Sequence, residues 1–262
     1  MTPDRSHRIE LRYELPGTPE QVWQAIATAV GISSWMLPTD LEENVGGSIV
    51  THMGETSSAG KVTGWDPPHR FAYEEPDWAE LGGHAGEPVT PLATEFLIEA
   101  ASGGTCVLRV VSSAFGTGAQ WEQEFFDDME RYWAPTFDHL RLYLTHFAGQ
   151  QAHVLEVGAN IPGTVAEAIR AVRRALGVTT AGSRFEANGL RGSIERSDDV
   201  EILGRLAEPD LGFVAWYAFP VDETTAYAGV RGYFFGDGAA DRVGHQLPVW
   251  QSWFERLPAE VG

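Results

Sequence analysis

The chain has 262 residues, which suits one large or two modest domains, and 18 Lys and Arg against 37 Asp and Glu give it a formal charge of −19. That excess of acid argues against a nucleic-acid binder or an anionic-membrane binder, because both neutralise phosphate with clustered Lys and Arg. A single cysteine, Cys106, excludes an internal disulfide and a cysteine-rich metal site.

Met1 to Glu10 is polar, and no stretch approaches the roughly 18 apolar residues of a membrane span. A cytoplasmic protein is expected. From His7 to Leu15 the residues Ile9, Leu11, Tyr13 and Leu15 alternate with Arg8, Glu10, Arg12 and Glu14, the period of a half-buried strand. Pro16-Gly17 ends that strand. Thr18, Pro19 and Gln21 then form a helix-capping signature, and Val22, Trp23, Ile26 and Val30 recur at helical spacing until Gly31 stops the helix. From Asp40 to Val111 short β-prone runs are punctuated by Gly, Pro and Asp, which reads as an antiparallel meander. Within it, Glu75 to Pro91 is too polar and glycine-rich for a strand and reads as a long loop, of the kind that is either a functional rim or mobile. Gly118 to Phe147 is one long, aromatic helix with a kink expected at Pro135. Its acidic start, Glu122, Glu124, Asp127, Asp128 and Glu130, suits the helix dipole and a solvated face.

The plan then repeats. Leu15-Pro16-Gly17-Thr18 recurs as Ile161-Pro162-Gly163-Thr164, and Phe115-Gly116-Thr117-Gly118 recurs as Phe235-Gly236-Asp237-Gly238 before a second proline-bearing helix. Strands are expected from His153 to Asn160 and in five runs between Ser183 and Phe234, with helices over Thr164–Leu176 and Ala239–Leu257. The second copy is shorter by about one strand pair or the long loop. The expected domains are 1–148 and 149–262, with a hinge at Ala148-Gly149-Gln150.

Strand, helix, meander and long final helix is the order of the helix-grip fold, an α+β class. Ser34-Trp35, Gly46-Gly47, the run Gly60 to Phe71 with its Asp66-Pro67-Pro68 turn, Thr94-Glu95-Phe96, Gly104-Thr105 and Phe115-Gly116 resemble the START/SRPBCC superfamily. They are most similar to the branch named after the activator of the heat-shock-protein-90 ATPase. The resemblance spans residues 8–147. The second half resembles the same fold without a Trp35 equivalent or an Asp-Pro-Pro turn. In both halves the resemblance implies a curved antiparallel sheet wrapped around a long C-terminal helix, and in the first half a cavity between them of the kind that commonly holds a hydrophobic small molecule. It carries over no catalytic motif.

Apolar walls with a few polar groups are what small-molecule sites look like. The candidate lining set is Trp35, Met36, Phe71, Trp78, Phe96, Phe115, Trp121, Phe125, Met129 and Trp133, each of which could equally fill the core. The eight histidines form no ligand-spaced pair, so no metal and no cofactor are expected. His52, Glu95, Arg109 and His139 are the candidates for acid–base work. Glu95, Glu99 and Arg109 nonetheless alternate with apolar neighbours and belong on the solvated face. The leading expectation is a binder of an aromatic, polyketide-like or lipid-like molecule. A cyclase-like or hydrolase-like enzyme using the same cavity, and a co-chaperone-like module with a protein partner, are the alternatives.

Overall fold

The computed structural model describes residues 6–54, 56–207 and 209–257. They fall into two compact units, one up to Gln151 and the other from Ala152. The first contains β1 (Ser6–Pro16), α1 (Pro19–Ile26), α2 (Ala29–Ser33), β2 (Thr39–Leu41), β3 (Ser48–Met53), β4 (Thr56–Asp66), β5 (Arg70–Glu75), α3 (Trp78–Leu81), β6 (Leu92–Ala100), β7 (Thr105–Phe115), α4 (Gln120–Trp133) and α5 (Thr136–His146). Its seven strands form one antiparallel sheet in the order β1-β7-β6-β5-β4-β3-β2. Helix α1 packs on β6, while α4 and α5 pack on β1.

The second unit contains β8 (His153–Pro162), α6 (Val165–Ala175), β9 (Arg184–Ala187), β10 (Leu190–Ser197), β11 (Glu201–Leu206), β12 (Gly212–Asp222), β13 (Thr225–Phe234) and α7 (Ala239–Arg256). Its sheet runs β8-β13-β12-β11-β10-β9, the first order with the β2 position missing. The chain is therefore an α+β protein in which one helix-grip arrangement occurs twice.

The repeated Pro-Gly-Thr has the same job in both copies. Gly17 and Gly163 each take φ +111°, a left-handed conformation that favours glycine. Their N–H groups donate to Gly104 O and Thr224 O, the carbonyls just before the last strand of each sheet. The next residue then caps the helix: the Thr18 and Thr164 hydroxyls accept from the Gln21 and Glu167 N–H, and those side chains accept from the threonine N–H in return. Such caps contribute about 1 kcal/mol each.

Three expectations need correction. The first helix stops at Ile26, and Thr28 caps a second one in which Gly31 is interior. A Cβ at Gly31 would overlap the Gln24 carbonyl oxygen, so this glycine permits close approach of the two helices and does not end either. Pro135 divides the long helix outright into α4 and α5. The carbonyls at that break are taken up by side chains, Trp133 O by the Thr136 hydroxyl at 2.7 Å and Ala134 O by the Tyr13 hydroxyl at 3.2 Å. By contrast α7 runs through Pro248 without a break.

The third correction is Glu122, which is fully buried and not on a solvated face. Its carboxylate accepts from Thr117 N (2.6 Å), the Thr117 hydroxyl (2.8 Å), Gly118 N (2.9 Å) and His7 Nε2 (3.1 Å). Burial alone would push this carboxyl up, but these donors outweigh it and hold it at about 2 instead of the ordinary 4.5. Because the folded state lowers this value, the stabilisation is complete above about pH 4.5 and disappears as pH falls toward 2. Glu122→Gln should therefore cost about 2–3 kcal/mol at pH 7, read from urea unfolding. The gap from the parent should shrink by more than half at pH 3, whereas an equal gap at both pH values would contradict the charged clamp.

Candidate functional site

The concave face of the first sheet follows from the two-residue period of its strands. On β5 the inward residues are Phe71, Tyr73 and Glu75; opposite them on β6 are Phe96, Thr94 and Leu92. On β7 the row continues with Val110 and Ser112, and on β1 with Leu11 and Ile9. On the other side stand Ile49 and Thr51 of β3, paired with Gly60 and Ser58 of β4. A register shift between Val62 and Gly64 re-aims β4, bringing Trp65 opposite Phe71.

Aromatic rings cross this face in a connected chain. Trp23 of α1 meets Trp65 at 5.0 Å, Trp65 meets Phe71 at 5.6 Å, Phe71 stacks on Phe96 at 5.8 Å, and Phe96 meets Trp133 of α4 at 6.4 Å. Phe137 of α5 closes the chain, contacting Trp133 at 5.3 Å, Tyr13 at 4.6 Å and Trp35 at 5.8 Å. Edge and offset ring contacts of this kind contribute about 0.5–1.5 kcal/mol each beyond burial. Trp35 is held by its own indole, which donates to Ala25 O at 2.8 Å.

A concavity lies among Ile26, Ile32, Trp35, Met36, Thr39, Ile49, Thr51, Phe71, Tyr73 and Phe96, with about 10 Å³ left open, the space of a single water. Four of the ten candidate residues, Trp35, Met36, Phe71 and Phe96, line it. Trp133 reaches its floor through Phe96. Trp78, Trp121, Phe125 and Met129 instead form a neighbouring cluster with Phe126, Ile9 and Leu92. Trp78 is completely buried in the segment read as a loop, where its indole donates to Thr90 O at 2.8 Å. His84 of the same segment stacks on Trp121 at 4.2 Å. Phe115 is 63% exposed at the end of β7 and lines nothing.

The acid–base candidates lie elsewhere. Glu95 pairs with Arg70 at 2.6 Å and Arg109 with Glu10 on the convex face, and His52 pairs with Asp40 at 2.9 Å in solvent. His139 is buried, and its Nδ1 faces Trp35 O at 3.3 Å, where a carbonyl acceptor requires the ring to donate. Among the described residues no three His, Cys, Asp or Glu side chains converge as metal ligands would.

The polar groups that do face inward escaped the sequence reading. Thr94 and Ser112 share a hydrogen bond of 3.0 Å. The Ser58 hydroxyl donates to Glu75. Burial pushes the Glu75 carboxyl up despite that bond, and burial followed by the neighbouring Glu75 charge pushes the Tyr73 phenol up. The signal was present in the alternation Phe71, Tyr73, Glu75, and was lost by ending the strand one residue early.

In the second unit the space between sheet and helix is packed by Trp216, Trp250, Phe254 and Phe185, with Trp216 and Trp250 ring centroids 5.9 Å apart.

Comparison with known proteins places these features. No curated protein matches the chain. Among solved structures, the di-domain ARO/CYC BexL of the BE-7585A biosynthetic pathway is 12% identical, covering 97% of this chain and 94% of its own, with a TM-score of 0.46. DynU16, from the dynemicin biosynthetic locus, is 12% identical over 99% of this chain and 100% of its own, with a TM-score of 0.43. The Aha1 dimer from Colwellia psychrerythraea is 18% identical, covering 53% of this chain and 96% of that one, with a TM-score of 0.42. The family model of the activator of Hsp90 ATPase homolog 1-like proteins matches residues 16–145, from the end of β1 to the last turn of α5. That match, to a family of the SRPBCC type, lies within the first helix-grip unit.

Proposed function

We propose that the first domain binds an apolar, ring-bearing small molecule against Phe71 and Phe96, under Trp35, Met36 and Trp133. The observation that carries this reading is the set of polar side chains on the inward sheet face: Thr51 and Tyr73 line the concavity, and Ser58, Glu75, Thr94 and Ser112 stand beside them among otherwise apolar residues. A core that only had to be filled gains little from such groups even when they bond one another, as Thr94 does with Ser112 and Ser58 with Glu75, because each bond nets only about 1 kcal/mol against the cost of burying its partners. In a binding site they orient a guest.

The open space of about 10 Å³ is too small for a guest in this conformation. Entry therefore displaces rim side chains. Met36 and Trp133 are half-buried, and the unbranched thioether of Met36 repacks at low cost. The second domain is proposed not to bind, since its matching space is filled with tryptophan.

An enzymatic reading lacks a paired acid and base here: His139 donates to a backbone carbonyl, and Glu95, Arg109 and His52 lie outside the concavity. The test is native mass spectrometry of the purified protein, followed by titration with naphthalene and anthraquinone probes read by tryptophan quenching. Trp133→Ala should weaken binding at least tenfold, about 1.4 kcal/mol, while circular dichroism shows an intact fold. Unchanged affinity in the folded variant would remove the site from this face.

A further inference from the structure

Two carboxylates of the first domain, Glu122 fully buried and Glu75 half-buried, are treated oppositely. Glu122 is compensated by four donors, two of them backbone N–H groups. Glu75 has one, the Ser58 hydroxyl. No salt bridge to Glu75 exists among the described residues, although the same sheet pairs Glu95 with Arg70 and Glu10 with Arg109 on its convex face. Gly60 makes room for it: a Cβ there would stand 3.1 Å from Glu75 Cγ. The half-buried carboxyl thus stands against apolar packing with a single hydroxyl as its donor and no cation beside it, which folding alone does not favour.

Its surroundings define what would compensate it. Glu75 follows Tyr73 on the same face of β5, and Ser58 pairs across the sheet with Thr51, so both of its polar neighbours touch the concavity lining. Tyr73, Phe96 and Phe71 line that space, and aromatic rings of this kind attract a cation that comes over them. No Lys or Arg lines it, so a fatty acid or other anion would find no counter-charge. The overall charge of −19 repels anions and draws cations to the surface.

We infer that the guest of the first domain is an apolar molecule bearing a basic amine, its ammonium group paired with the Glu75 carboxylate beside the Ser58 and Tyr73 hydroxyls. The inference rests on the binding site proposed above and adds the chemical class of its ligand. Pairing leaves the ring portion of the guest on Phe71 and Phe96.

Three near-isosteric probes test it on the full chain at pH 7: 1-naphthylmethylamine, 1-naphthalenemethanol and 1-naphthoate, each titrated by tryptophan quenching and by calorimetry. The amine should bind at least tenfold tighter than the alcohol, and the carboxylate weakest of all. Glu75→Gln should bring the amine to within twofold of the alcohol, the ratio of the two affinities being the readout; Ser58→Ala should keep most of the amine preference. Equal binding of amine and alcohol by the parent protein, or a preference that survives Glu75→Gln, overturns the amine assignment and leaves the site itself standing. Binding of none of the three overturns both. If Glu75→Gln fails to fold, the parent's ranking of the three probes still decides the matter.

Discussion

The buried Glu122 carboxylate is the contact on which the arrangement of the first domain depends. It sits where β7 turns into α4, and its partners come from the turn (Thr117, Gly118) and from the far edge strand (His7 of β1). His7 also stacks on Phe126 at 5.0 Å, so the same corner fixes the first turns of the helix laterally. With the start of α4 fastened over β1, the side chains of Phe126, Met129 and Trp133 fall at successive helical turns across the sheet. The break at Pro135 then redirects the chain so that Phe137 meets Trp35 and Tyr13.

That geometry gives the concave face two unlike halves. Near α3 the rings of Trp78, Trp121, Phe125 and Phe126 close into a filled cluster. Near α2 the floor of Phe71 and Phe96 is roofed by Trp35 and by half-buried Met36, and is edged by hydroxyls and one carboxyl. Only the second half combines an adaptable wall with polar side chains, and the proposed site is placed there on those physical grounds.

The second domain shows what happens to the same frame when the clamp is replaced. Counting from the shared Phe-Gly pair, Arg242 stands where Glu122 stood, and it reaches Asp210 at 2.8 Å instead of the helix-turn amides. Helix α7 begins at Gly238 in the left-handed conformation, with no side-chain cap. The interior is closed by Trp216, Trp250 and Phe254, all fully buried. The repeated order of strands survives, while the space that defines the first domain's site does not.

Local chemistry alone determined the order of elements, the twofold use of one fold, and the parity of each strand. Pro-Gly-Thr starts a capped helix wherever it occurs, and alternation assigns Glu95 and Arg109 to the outer face before any tertiary contact forms. Parity does not say how far along a strand the covering helix reaches. Phe115 has the outward parity of Arg109 and lies in solvent, whereas Trp78 sits in a polar run yet is drawn fully inside by the rings of α4. Glu122 looked like one more acidic residue of an exposed helix start; His7, 115 residues earlier in the chain, is what makes its burial possible. Glu75 has the right parity for the interior, but whether a carboxyl there is paired, solvated or left uncompensated depends on groups supplied by other strands. Those groups meet only when the sheet curls around α4, so the tertiary structure alone decided which side chains form the site.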